Sequence, residues 1–100
     1  QQAAGEKRPS PGELSYYQAR ALQKLGNGKQ AAAVLSGLLS WALKSLEEKR
    51  GDEAENHYLA GLALKGKGDR IKAMGHFQAA LSADPGHRRS RWQLSGFAGE

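Results

Sequence analysis

The chain has 100 residues, 39% apolar and 25% charged, enough for one small domain with a modest core and too little for an elaborate catalytic cleft as well. Cysteine is absent, which excludes a disulfide framework and a thiolate metal site, and the formal charge of +5 is spread along the chain except for the cluster "HRRSR" at 87–91. No apolar run approaches the roughly 18 residues of a membrane span and no signal peptide is legible, so we expect a cytoplasmic chain with no membrane attachment.

The chain opens on Gln1-Gln2 and closes on Gly99-Glu100, and we expect a segment of a larger protein. Residues 1–10, "QQAAGEKRPS", are polar and aperiodic and read as a disordered tail or linker. Ser10 suits a helix N-cap, with Pro11 at the first helical position and Glu13 placed to close a capping box. The helix that follows should run from 11 to about 25, bury Leu14, Ala21, Leu22 and Leu25, and stop at Gly26.

From Lys29 to about Arg50, Val34, Leu35, Leu38, Leu39, Ala42, Leu43 and Leu46 form one stripe at helical spacing. Gly51 ends this second, unusually long helix. Asp52 caps a third, with Glu55 as its capping-box partner, reaching about Lys65. Asp69 caps a fourth that turns Ile71, Ala73, Met74, Phe77, Ala80 and Leu81 inward and stops at Asp84-Pro85. A short fifth helix over about 87–97 carries Trp92, Leu94 and Phe97. No segment alternates apolar and polar residues as a half-buried strand would, so the expected class is all-α with about five helices.

Sliding the chain on itself by 42 residues pairs Glu13 with Glu55, Tyr16 with Tyr58, Ala21 with Ala63, Leu22 with Leu64, Gly26 with Gly68, Ala31 with Ala73, Leu39 with Leu81 and Ser40 with Ser82. The unlike pairs match in kind: Ala19 sits over Gly61, Asn27 over Asp69 and Leu35 over Phe77. Each copy is therefore a helix, a Gly-polar corner and a second helix, and such hairpins must stack to bury their apolar faces. The corner "GKGDR" follows a helix, lacks the Gly-Lys-Ser/Thr ending of a phosphate loop and has a counterpart, "GNGKQ", in the first copy. It reads as a structural turn.

The stretch Ala54–His87 resembles a tetratricopeptide repeat, through Gly61, Leu64, Gly68-Asp69, Ala73, Phe77, Ala80 and Asp84-Pro85 at the spacing of that 34-residue pattern. The first copy resembles it more weakly, through Ala19, Leu22, Gly26, Ala31, Leu35 and Leu38, and continues its second helix for about eight extra residues. "YYQARALQKLG" and "HYLAGLALKGKG" are also similar to the C-terminal helical tails of large bacterial multidomain proteins. The resemblance implies an α-solenoid of antiparallel helical hairpins over 11–100: repeat one about 12–51, repeat two about 54–87 and a capping helix about 87–97.

It further implies a noncatalytic module that binds a protein or peptide. The positions that face a ligand in this family fall on Tyr16, Arg20, Gln23 and Lys24, on Tyr58, Leu62 and Lys65, and on Arg89 and Trp92. Tyr16, Tyr58 and Trp92 would form an aromatic ladder bordered by cations, suited to a peptide with an apolar anchor and an acidic neighbour. The Lys and Asn that clamp a carboxylate terminus in some relatives are replaced by Tyr16 and Arg20, so that clamp is not expected.

We expect no catalytic residues, cofactor or metal. His57, His76 and His87 are too far apart in sequence for a local ligand pair, and the carboxylates at helix starts are explained by capping. His57 stands where the family packs a large ring, so we expect a helix-packing role for it. Trp41 lies off the main stripe of its helix, and with Leu46 and Phe97 near the ends of the array it suggests a homo-oligomer. The alternative is a basic nucleic-acid binder using 87–91 with Lys65, Lys67 and Arg70; the spread of the other cations speaks against it.

Overall fold

The computed structural model describes residues 11–98, which form five α-helices: α1 (Pro11–Lys24), α2 (Gly28–Glu47), α3 (Glu53–Gly66), α4 (Arg70–Ala83) and α5 (Arg88–Ala98). Among the described residues there is no strand, and the fold is all-α. The expected tail at 1–10 and the Ser10 cap lie outside the described residues.

The internal repeat is visible in the helix boundaries. Both ends of α3 and the start of α4 stand 42 residues after those of α1 and α2. The corners also coincide bond for bond. Gly26 donates to the Gln23 carbonyl and Asn27 to that of Leu22; Gly68 donates to Lys65 and Asp69 to Leu64. This is the paired bonding of a Schellman motif, which needs a left-handed residue just past the helix, and Gly26 and Gly68 sit at φ 85° and 91°. The backbone N–H groups of "GKGDR" thus close a helix end.

α2 ends in the same motif without glycine. Lys49 donates to the Leu46 carbonyl and Arg50 to that of Ser45, and Lys49 takes the left-handed conformation at φ 55°. Its helix has 20 residues against 14 in α4, an extension of 20 − 14 = 6 that accounts for most of the long offset. At the next start, Asp52 accepts from the N–H groups of Ala54 and Glu55, as its capping role requires. Glu55 does not return the bond as expected; its carboxylate turns to α5. Asp69 caps α4 through Lys72 N–H, and Asp84-Pro85 ends it.

Consecutive helices pack on one another, and α1 also packs on α3. Helix α3 is therefore central, and every residue from Tyr58 to Leu64 is buried. The core joins Ala19, Leu35, Leu38 and Ala42 of the first hairpin to Tyr58, Leu62, Ala73 and Phe77 of the second, and Phe97 of α5 closes it. Where α3 meets α4 there is no room for a side chain at Gly61: a Cβ there would lie 2.5 Å from Phe77 Cε1.

Several expected core positions face solvent. Leu14 and Ala21 on α1 and Leu25 just past its end are exposed, and the buried face of α1 is Glu13, Tyr16 and Ala19. Leu43 on α2 and Ile71 on α4 are also exposed, Ile71 at 85%. Tyr16 and Ala19 occupy the same places in α1 as Tyr58 and Gly61 in α3, so the buried face follows the repeat rather than the leucines.

Candidate functional site

On the side of the molecule formed by α1, α3 and α5, a depression of about 390 Å³ is lined by Glu13, Tyr17, Tyr58, Arg88, Arg89, Trp92 and Gln93. Its floor is an ion cluster. Arg89, in the first turn of α5, donates from one guanidinium nitrogen to Glu13 Oε1 of α1 at 2.8 Å and from the other to Glu55 Oε1 of α3. Glu13 and Glu55 are equivalent residues of the two copies, so one arginine on the last helix ties the starts of both first helices together.

A cation at a helix N-terminus opposes the helix dipole, and the two carboxylates offset that cost. Burial pulls the Arg89 guanidinium pKa down, but Glu55 and Glu13 outweigh it and the net shift is upward. The Tyr58 hydroxyl donates to Glu13 Oε2 at 2.7 Å beneath the guanidinium, which stands 4.8 Å from the centre of the Tyr58 ring. Burial, then the Glu13 hydrogen bond, raises the Tyr58 pKa far above that of a free phenol. Ser90 N–H donates to His87 Nδ1, so His87 Nε2 carries the proton and faces Glu55 Oε1 at 3.3 Å. Glu55 Oε2 and Ser90 Oγ are buried with no hydrogen-bond partner among the described residues.

The residues expected to line a groove divide into two groups. Tyr16, Tyr58 and Leu62 are buried and belong to the core, so a solvent-facing ladder of three aromatics is not present. Burial also raises the Tyr16 pKa. Gln23 donates to the Gly66 carbonyl at 3.0 Å, closing the end of α3, while Lys65 donates to Gln93 Oε1 at 2.7 Å. These two hold helices together. Arg20 is exposed and donates to Gln23 Oε1 at 3.3 Å, and Lys24 is exposed. Arg89 forms the floor and Trp92, 72% exposed, forms one wall.

The wall on α1 is Tyr17, 51% exposed, one residue beyond the expected Tyr16. A one-residue step turns a helix by about 100°, enough to exchange a core ring for a surface one. The roles of Glu13, Glu55 and His87 were not expected either. The signal for two of them is the Glu13/Glu55 identity, which capping alone does not explain.

The basic cluster does not act as one patch. His87 is buried, Arg89 lies between the glutamates, and Arg91 donates to the Pro85 carbonyl. Lys67, in the second corner, reaches Ser36 Oγ of α2. Phe97, expected at an exposed end, is buried beneath Lys65 and Arg70, while Trp41 remains 55% exposed and Leu46 half-buried.

Two histidines expected to be far apart meet. His57 Nδ1 of α3 lies 3.0 Å from His76 Nδ1 of α4. Packing across the hairpin brings them together, a contact no helical spacing could reveal. Among the described residues no group of three or more His, Cys, Asp or Glu is arranged to hold a metal ion, and no helix is long and apolar enough to cross a membrane. The chain matches no protein-family model, and comparisons with curated proteins and with solved structures return no significant match.

Proposed function

We propose that this chain is a noncatalytic interaction module of the tetratricopeptide type, which takes a peptide segment of a protein partner into the depression between α1 and α5. The observation that carries the reading is the pair of exposed rings, Tyr17 and Trp92, that line one depression together with Arg89. Large aromatic side chains beside a fixed polar floor are the usual anchors of a protein interface. The coincident corners of the two hairpins support a stacked-repeat architecture, in which first helices line one surface.

Exposed Arg20, Lys24 and Arg88 give the surroundings a positive character, so the fitting ligand carries an aromatic or apolar anchor next to acidic residues. Selection from a displayed random-peptide library tests this. The expected result is a consensus of that composition whose affinity for Trp92→Ala and Tyr17→Ala falls about tenfold or more at unchanged helicity. Equal binding by wild type and both variants would refute the site. Binding of an arbitrary DNA duplex that weakens steeply with salt would refute the peptide reading in favour of nucleic acid.

A further inference from the structure

We infer that His57 and His76 form a proton-operated latch between α3 and α4. The ring centroids are 5.2 Å apart, close to the 3.0 Å Nδ1 separation plus two ring radii, so the two nitrogens face each other head-on. That is the geometry of one shared proton, N–H to lone pair. It does not suit a metal chelate, where both lone pairs would converge on a third point. In sequence His57 stands one helical turn before Gly61 and His76 next to Phe77, the two residues that meet without room for a Cβ at 61.

The head-on contact works with one proton and fails with two. A first added proton is tolerated, because the facing nitrogens can still share a hydrogen. A second places N–H against N–H and one positive charge against another. Glu53, with Oε2 3.9 Å from His57 Nε2, favours the first proton. Lys49 and Arg50, the latter paired with Glu48 at 2.8 Å, line the adjacent cavity together with Glu53 and His57. On the other helix, Lys72 lies a turn before His76 and pairs with Asp69 at 3.9 Å. Burial lowers the pKa of both imidazoles, with Glu53 opposing it at His57 and His57 adding to it at His76.

Groups whose folded-state pKa is lowered give stability that is complete above the unfolded value of about 6.5 and is lost as pH falls below it. Acid therefore loosens the α3–α4 hairpin specifically. Hydrogen exchange of the whole chain at about pH 7.5 and about pH 5, corrected for intrinsic exchange, reads this directly. The opening equilibrium of α3 and α4 should rise by up to about tenfold per pH unit for each extra proton taken up.

His57→Gln and His76→Gln, made separately, should each lose at least half of that acid response on a logarithmic scale. Either variant suffices if the other fails to fold, and His87 is retained in both. An acid response as large in the variants as in wild type would overturn the latch. So would protection of α3 and α4 that is unchanged between the two pH values.

Discussion

Exchanging Gly61 and Phe77 for the residues at the equivalent positions of the first hairpin tests whether the two copies are solutions of one packing problem. The first copy places Ala19 and Leu35 where the second has Gly61 and Phe77, and all four are buried. A Cβ at 61 would stand 2.5, 2.8 and 2.9 Å from three atoms of the Phe77 ring, far inside the contact distance of about 3.5–4.0 Å. The ring is fully buried and has nowhere to swing. Overpacking of this kind costs about 1–3 kcal/mol, and the better helix propensity of alanine returns about 1, so Gly61→Ala should lose up to about 2 kcal/mol. Phe77→Leu alone leaves a void and should lose about 1–2 kcal/mol. In the double variant the alanine methyl enters the space the ring vacates, and the two changes should couple favourably by about 1–3 kcal/mol. Urea denaturation of the four proteins closes the cycle, with equal slopes as the check on two-state behaviour. Additivity to within about 0.5 kcal/mol would show that the steric account of Gly61 is wrong.

The other glycines and the polar floor give further expectations. Gly75→Ala, at a mid-helix site with nothing near its absent Cβ, should stabilise by about 0.5–1 kcal/mol in the same denaturation assay, opposite in sign to Gly61→Ala. Lys49→Gly should stabilise by about 0.5–1 kcal/mol, the left-handed strain relieved less the entropy glycine adds to the unfolded chain. Arg89→Met removes the shared partner of Glu13 and Glu55; discounted for the half-exposed guanidinium, the loss should be about 1–3 kcal/mol, read as a lower thermal midpoint. Tyr58→Phe leaves a buried Glu13 oxygen without its hydroxyl donor and should cost about 1–2 kcal/mol. Because the Tyr58 pKa is raised, its contribution is complete below about pH 10 and is lost as pH rises further; a spectrophotometric phenol titration of wild type should show this ring ionising only together with unfolding.

The helix count and most boundaries were legible because the corners carry strong local chemistry: Gly26, Gly68, Asp52, Asp69 and Pro85 each act within a few residues of where they stand. The buried faces were less legible, and for different reasons in different helices. In α3, apolar residues surround the helix because neighbours cover it on every side, so no stripe marks a preferred face. In α1, Leu14 outweighs Ala19 on any hydropathy scale, yet it sits outside while a glutamate goes in. That inversion is a tertiary effect. The burial of Glu13 is offset by Tyr58 and Arg89, 45 and 76 residues away, which donate hydrogen bonds to it. The comparison of the chain with itself contained the correction, since it aligned Glu13 with Glu55, Tyr16 with Tyr58 and Ala19 with Gly61. Where a repeat exists, a position that recurs between copies reports its surroundings more faithfully than its own polarity does. By the same reasoning, the surface available to a partner is sought where the copies differ: Tyr17 stands over Leu59, an exposed ring over a buried side chain, because α1 covers α3 at Leu59 and no helix among the described residues covers α1 in the same way.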